Sequence, residues 1–193
     1  MATAVQRYPV TFNVEYPQEL SRWLIFVKWL LAIPHFIVLY LLQLVAGIVT
    51  FIAFFAILFT KKYPESLFNF VVGVNRWGAN VTAYVFLLRD DYPPFTMEAG
   101  SYPLAYDVQY PQELSRWLIF VKWLLVFPNA LVSLLLLLVA YLVEFIAFFA
   151  ILFTKQYPEP LFKFVVGALR WNYRASAYSS LLTDQYPPFS MEP

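Results

Sequence analysis

The sequence predicts an all-α integral membrane protein that arose by tandem duplication of one unit. Hydrophobic residues make up 61% of the 193-residue chain, charged residues make up 13%, and the mean hydropathy is +0.62. Soluble domains are about 45–50% apolar and about 25% charged, so this composition indicates that lipid is the solvent. The run FIAFFAILFTK at 51–61 returns at 145–155, and the motifs around it keep the same offset. We therefore divide the chain into two membrane repeats, 1–100 and 101–193.

Each repeat is expected to contain a short β-strand, a transmembrane helical hairpin and an interfacial amphipathic helix, in that order. The strand is predicted at 10–15 and again at 104–109, where apolar and polar side chains alternate between two Tyr-Pro pairs. Alternation indicates a strand with one wet face, and proline marks its ends because it lacks an N–H donor. Since a lone strand is not stable, we expect the two strands to pair with each other or with the YPPF segments.

A long apolar run after each strand is the evidence for membrane spans. In the first repeat it extends from Leu20 to Thr60. A single helix of about 41 residues would be about 61 Å long, roughly twice the hydrocarbon thickness of a bilayer. We therefore predict a hairpin with spans at about 23–44 and 47–60 and a turn near Gly47.

A second interpretation breaks the same run at Pro34, and at Pro128 in the second repeat. The residue before a proline disfavours helical geometry, which supports a break at these positions. The first repeat would then have an interfacial helix over 20–33 and one span over 36–60. The sequence leaves both arrangements open.

The third segment, 64–88, places its polar residues three or four apart, which is the spacing of one stripe on a helix. These residues are Glu65, Asn69, Gly73, Arg76 and Asn80, and in the second repeat Glu159, Lys163, Gly167, Arg170 and Arg174. We expect a helix that lies in the membrane interface with this stripe in water. A third span per repeat is the alternative.

Basic residues are the candidate contacts with lipid headgroups or with a partner protein. They are Arg22, Lys28, Arg76, Arg116, Lys122, Arg170 and Arg174. Long cationic side chains near a membrane end commonly snorkel to the headgroup level, beside interfacial tryptophans. Lysines also close both apolar runs, and short basic loops stay in the cytoplasm. We therefore predict a multi-pass protein of the bacterial cytoplasmic (inner) membrane.

Glu144 and His35 are the candidate polar groups at membrane depth. A carboxylate near the bilayer centre costs on the order of 3 kcal/mol. If the hairpin turn lies at Glu144, this residue reaches the far surface; otherwise it is a buried carboxylate facing Lys28, Lys122 or another subunit. His35 is the only histidine and the chain has no cysteine. We expect a structural histidine, because a metal or haem site needs further ligands.

Several motifs in order carry a family resemblance: SRWLIFVKWLLAIPH, FFAILFTKKYPE, LFNFVVGVNRW and LRDDYPPF. The chain resembles the bacterial domain-of-unknown-function 4389 family in both repeats. That resemblance implies a small bacterial integral membrane protein, and it brings no assigned activity and no catalytic residues. In the second repeat FPN at 127–129 replaces IPH, so a role that rests on His35 is not general to the unit.

The function we expect is that of a non-enzymatic membrane scaffold or accessory subunit of a larger membrane complex. Aromatic residues are 21% of the chain, and rings supply packing area at low entropic cost. The expected partners are membrane lipids, other membrane subunits or further copies of the chain. No cofactor is predicted, although a lipid, quinone or pigment could lie between the helices.

The alternative is a small transporter or channel in which Glu144 is an intramembrane carboxylate. Few polar residues are available to line a path through the membrane, which weighs against it. A net charge of +1 gives no field that would attract nucleic acid, so nucleic-acid binding is not expected.

Overall fold

A computed structural model describes residues 8–193 and shows the two repeats as copies of one arrangement. The first repeat consists of β1 (Val10–Val14), α1 (Leu24–Leu31), α2 (Ile33–Thr60) and α3 (Glu65–Val85). The second consists of β2 (Leu104–Val108), α4 (Leu118–Leu125), α5 (Phe127–Thr154) and α6 (Glu159–Ser179). The protein is mostly helical, with one small sheet, and the predicted tandem repeat is confirmed.

The two strands pair with each other in an antiparallel, two-stranded sheet. Phe12 lies opposite Tyr106, and these residues hold the same position in their repeats, so a pseudo-twofold axis passes through this pair. β1 packs on α6 and β2 packs on α3, so each strand covers the helix of the other repeat. The prediction that the strands pair is confirmed, and the exchange of strands joins the repeats through the sheet.

A second exchange joins the segments that precede α1 and α4 to the opposite long helix. The Leu20 N–H donates to the Lys155 carbonyl at 2.8 Å, and the Leu114 N–H donates to the Lys61 carbonyl at 2.8 Å. Both lysines end a long helix in the left-handed conformation, with φ of 62° and 60° respectively. The carbonyls at these helix ends are thereby satisfied by the other repeat, and the two repeats share one core.

The predicted hairpin is wrong, because α2 continues through Gly47 without a turn and α5 does the same. The buried positions of α2 fall on one stripe that passes Gly47 on both sides: His35, Ala46, Val49, Ala53 and Ile57. A continuous stripe packs on α3 only if the helix is continuous. The alternative prediction, a break near Pro34, agrees better with the structure. α1 and α2 meet at Ala32, and Pro34 lies in the first turn of α2. There its missing N–H costs no hydrogen bond.

The expectation that the polar stripe of α3 and α6 faces water is also wrong for most of its length. Gly73, Asn80 and Gly167 are buried, and Arg170 and Arg174 are 5% and 3% exposed. The stripe faces the sheet and the segment that follows each helix, where backbone carbonyls accept hydrogen bonds. The opposite side of α3 packs on α2, and that of α6 packs on α5.

Candidate functional site

The most extensive unexplained surface is the apolar face of the two long helical segments. Residues 24–60 and 118–154 each form 37 residues of nearly continuous helix with hydropathy of 2.6 and 2.7. In the most apolar window of each segment, only 22% and 17% of the residues are buried. A core helix of a soluble protein would be mostly buried. By length and composition, these two segments are candidate membrane spans.

Large side chains project from this face along its whole length. Examples are Ile48 at 61% exposure, Phe51 at 65% and Phe59 at 72%, and their counterparts Leu142 at 67%, Phe145 at 67% and Phe153 at 72%. The side that packs on the protein carries small residues instead, with Ala53 and Ala147 fully buried. Small residues let helices approach closely. Each long helix therefore has a narrow packing stripe and a wide apolar outer face.

Lys28 is buried at 1% exposure and does not snorkel to a surface as the sequence suggested. Its ammonium group donates to the Arg89 carbonyl at 2.6 Å and pairs with Asp90 Oδ1 at 2.8 Å. The Tyr84 ring lies 5.0 Å away and adds a cation–π contact. The Lys28–Asp90 pair fastens α1 to the end of α3.

Lys122 repeats this arrangement in the second half of the chain and is likewise 1% exposed. It donates to the Thr183 carbonyl at 2.7 Å and pairs with Asp184 at 2.8 Å, while the Tyr178 ring lies 4.9 Å away. Burying an ammonium group is tolerated only when it is paired and hydrogen-bonded. The two lysine–aspartate pairs are therefore internal fasteners and not lipid contacts.

His35 is fully buried in an aromatic cage. The Trp77 indole N–H donates to His35 Nδ1 at 3.0 Å, Phe95 stacks on the imidazole at 3.9 Å, and Tyr92 lies at 5.0 Å. Because Nδ1 accepts a hydrogen bond, the proton of the neutral ring is on Nε2. Within residues 8–193 no cluster of potential metal ligands surrounds it. The cage gives His35 a packing role, and Asn129 fills the equivalent position by donating to the Pro187 carbonyl.

Arg76 and Arg170 hold the sheet to the helices. Arg76 donates to the Tyr106 and Met97 carbonyls at 2.9 and 2.8 Å, and Arg170 donates to the Phe12 carbonyl at 2.8 Å. Burial lowers the pKa of Arg170 and of Arg174. Arg76 and Arg170 donate to main-chain carbonyls inside the protein, so they do not form the open surface of headgroup contacts that the sequence predicted.

Arg22 and Arg116 are the two candidate contacts that remain on the surface. Each is followed by a tryptophan that is 80% exposed, Trp23 and Trp117. Each guanidinium also donates at 3.0 Å to a carbonyl near the end of the opposite long helix. An exposed Arg-Trp pair beside an apolar helix is the arrangement that a headgroup layer favours.

Glu144 lies inside α5, so the expectation that a turn carries it to a surface is wrong. Its side chain is half-buried, and it interacts electrostatically with Lys28 of the first repeat. Thr50 holds the equivalent position. The second expectation, a carboxylate within the apolar segment that faces Lys28, agrees with this placement.

The sequence predicts that Asp90 and Asp184 cap a helix or pair with arginine, whereas the structure pairs both with lysine. The stacking of Phe95 on His35 was not predicted. A signal for the pairs was present, because lysine and aspartate recur at the same separation in both repeats. The contact could not be predicted from this separation, because the lysine lies in one helix and the aspartate follows another helix far along the chain.

A family model described as a domain of unknown function (DUF4389) matches residues 22–97 and again residues 116–191. Each match begins just before α1 or α4 and includes the long helix, the amphipathic helix and the YPPF segment. No curated protein and no solved structure matches the chain.

Proposed function

We propose that this chain, which belongs to the DUF4389 family in both of its repeats, is a non-enzymatic integral membrane scaffold or accessory subunit. It would lie in the bacterial cytoplasmic membrane and contact lipid, other membrane subunits or further copies of itself through the outer faces of α2 and α5. The resemblance to bacterial membrane proteins supports the location.

One observation carries this proposal: the most apolar segments of the chain leave most of their residues unburied. Folding normally removes such surface from water, at about 25 cal/mol for each Å². Two helices with hydropathy above 2 that leave most of their residues unburied indicate that burial is completed by something outside the chain. The aromatic side chains on these faces suit packing against flat neighbours.

The internal fasteners are a second support. The exchanged strands and the arginine bonds join both repeats into one core, and one lysine–aspartate pair holds the helical segments together within each repeat. A rigid core can hold two wide apolar faces in a fixed relation, which is what a scaffold requires.

The first experiment tests membrane residence. Because the chain has no cysteine, single-cysteine variants can be labelled without background. In intact membranes, Ile48→Cys and Leu142→Cys should resist a water-soluble maleimide and react only after the lipid is removed. The matched control Ser101→Cys, at an exposed loop position, should react in both conditions. Rapid labelling of Ile48→Cys and Leu142→Cys in membranes, or release of the chain by alkaline carbonate, would exclude membrane insertion.

The second experiment tests the scaffold role itself. Gentle solubilisation followed by native-gel separation and mass spectrometry should give stoichiometric companions or a homo-oligomer. Ile48→Arg places a charge on the outer face and should disrupt that assembly, while a conservative Ile48→Val should preserve it. A monomer that carries only lipid would contradict the scaffold proposal.

Glu144 supports a second candidate, a small transporter or channel, because it places a carboxylate in an apolar helix close to the charge of Lys28. Ion or solute flux through proteoliposomes tests it. The informative variants are Glu144→Gln and Glu144→Thr, the latter being the residue of the first repeat at Thr50. Flux that both substitutions abolish would favour this candidate over the scaffold.

A further inference from the structure

A small polar cavity lies between β1 and α6, and its features are independent of the membrane role proposed above. Its volume is about 110 Å³. Tyr8, Thr11 and Asn13 line one side, and Arg170 and Arg174 line the other. Two guanidinium groups therefore meet in a space large enough for one small polyatomic ion.

Arg174 is the less satisfied of the two arginines. It is 3% exposed, and its Nε–H has no hydrogen-bond partner among residues 8–193. One terminal N–H donates to the Ser190 carbonyl at 3.2 Å, and the guanidinium lies 5.4 Å from the Tyr8 ring centre. An arginine has five N–H donors, so most of the hydrogen-bonding capacity of this buried group is unused.

Arg170 is hydrogen-bonded only to neutral groups among the described residues. One terminal nitrogen donates to the Met191 carbonyl, and the other donates to Asn13 Oδ1 at 3.3 Å. Neither Arg170 nor Arg174 belongs to any ion pair of the described residues. Glu192 acts on Arg170 only at a distance, and it is exposed. Burial and then the positive charge of Arg174 lower the pKa of Arg170, which is the effect of two uncompensated charges held together.

The first repeat shows how the same site looks when it is neutralised. There Arg76 pairs with Asp107 at 2.9 Å, and Asn80 holds the position of Arg174. Around Arg170, Asn13 of the exchanged strand replaces the aspartate, and Arg174 replaces the asparagine. The site thus loses a negative charge and gains a positive one. Buried charge without compensation is costly, so a ligand that supplies negative charge is the missing component.

We propose that this cavity binds an oxyanion of the phosphate class, held by Arg170 and Arg174 and oriented by Asn13 and Thr11. Guanidinium groups match the oxygens of phosphate in a bidentate, charge-assisted geometry. The anion is either free in solution or part of a lipid headgroup, since both present the same oxygens.

The first variant to test is Asn13→Asp, which places beside Arg170 the carboxylate that Asp107 places beside Arg76. It should fold at least as well as the parent, because Asp107 already occupies the equivalent place beside Arg76. Titration with inorganic phosphate, in phosphate-free detergent buffer, should show saturable binding and a rise in Tm for the parent chain. Asn13→Asp should weaken that binding by about 30-fold or more, the low end of the effect of disturbing a buried charge pair.

Arg174→Asn, which copies the residue of the first repeat, should weaken phosphate binding to the same degree. The matched control is Lys163→Asn, since Lys163 carries the same charge on the same helix but lies outside the cavity; it should bind phosphate like the parent. Circular dichroism and gel filtration report folding for each variant. Absence of phosphate binding in the parent, or binding that neither Asn13→Asp nor Arg174→Asn changes, would overturn the proposal.

A second arm distinguishes the two sources of the anion. The parent and Asn13→Asp are placed in nanodiscs of phosphatidylglycerol or of phosphatidylcholine, and phosphate titration is repeated. Phosphate affinity that falls in phosphatidylglycerol, only when Asn13 is present, identifies a lipid headgroup as the occupant. Because phosphatidylcholine also carries a phosphodiester, the affinity is compared with that in phosphate-free detergent as well. Equal phosphate affinity in both lipids and in detergent identifies a free oxyanion.

Discussion

The two repeats share the ion pairs and the strand exchange that stabilise the fold, and they differ at several individual side chains. Both repeats carry the buried lysine–aspartate pair with the same N–O distance of 2.8 Å, and both exchange a strand. The differences include His35 against Asn129, Thr50 against Glu144, Ala79 against Tyr173, Asn80 against Arg174 and Asp107 against Asn13. Fold determinants were thus kept in duplicate, while internal polar sites diverged.

This division teaches how to separate structure from function in the chain. A substitution at a shared feature should cost the same in both halves, since the geometry is the same. A substitution at a diverged position should affect one half only, and the residue of the other repeat supplies a matched replacement.

The largest effect is expected at the lysine–aspartate pairs. Lys28→Ala or Lys122→Ala leaves a carboxylate without its partner, and breaking a buried pair costs about 3–5 kcal/mol. Because Asp90 and Asp184 are each 26% exposed, water can reach them, and we expect about 3 kcal/mol for either variant. Unfolding of each variant in detergent micelles measures the free energy.

A control for charge removal is Lys163→Ala, whose exposed pair with Glu159 should give no measurable change. Unequal losses for Lys28→Ala and Lys122→Ala would show that the halves differ at this shared feature. Glu144 acts on Lys28 but not on Lys122, so it would then be the first residue to examine.

The next effect is expected where each amphipathic helix passes under the segment that follows it. A Cβ atom on Gly73 would lie 2.9 Å from Met97 Cβ, and one on Gly167 would lie 2.9 Å from Met191 Cβ. Such overlap with an atom next to the backbone typically costs about 1–3 kcal/mol. Gly73→Ala and Gly167→Ala should therefore lower Tm by similar amounts.

Gly78 provides the control of opposite sign, because no atom lies within 4 Å of a Cβ placed there. Gly78→Ala should stabilise α3 by about 0.5–1 kcal/mol, since alanine loses less entropy in a helix. If all three glycine substitutions raise Tm, helix propensity rather than close packing decides their effect.

A smaller effect is expected at the diverged His35. His35→Asn removes the acceptor of the Trp77 indole N–H and the ring that stacks on Phe95. We expect a loss of about 1 kcal/mol, which is the net value of one such hydrogen bond. The reciprocal Asn129→His should cost more, because an imidazole is larger than the amide that the second cage holds. The double variant His35→Asn/Asn129→His exchanges the two residues. If it is as stable as the parent, each residue is not specific to its own surroundings, which would contradict this interpretation.

Much of the fold could be predicted from residues close together in the chain. The strands were found because alternation and flanking prolines are local signals, and their pairing followed from the instability of a lone strand. The prediction of a hairpin was wrong because Gly47 was given more weight than the buried stripe of small and apolar residues, which continues on both sides of Gly47. A turn needs more than one glycine inside a continuous apolar helix.

The candidate site was less predictable because its contacts join distant parts of the chain. Arg76 and Arg170 look like a solvated stripe until the strand of the other repeat is placed over them. The sequence pattern around Lys28 is typical of a snorkelling anchor, and it does not show that the segment after α3 places Asp90 beside this lysine. Polar spacing reports which residues share a face, but it does not report what covers that face.

The smallest effect at neutral pH is expected for Tyr173, the ring that stacks on Phe12 at 4.9 Å where the first repeat has Ala79. Tyr173→Phe keeps the ring and removes only a hydroxyl that lies 3.3 Å from Thr82 Oγ1, so it should cost about 0.5 kcal/mol. Burial raises the pKa of Tyr173 from 10.0 to about 12. The folded protein then keeps this proton after the unfolded chain has lost it.

The sign of the pH dependence follows from that difference. Stability from Tyr173 is complete below pH 10 and falls by about 1.4 kcal/mol for each pH unit up to about pH 12. Tyr173→Phe lacks this loss, so its free energy of unfolding should overtake that of the parent slightly above pH 10 and exceed it by about 1 kcal/mol at pH 11. Other buried tyrosines that do not interact with Tyr173, such as Tyr157, whose pKa burial also raises, are common to both proteins and cancel in the difference. Unfolding measured at pH 9, 10 and 11 tests this, and parallel curves would mean that water reaches the Tyr173 hydroxyl at the pseudo-twofold axis.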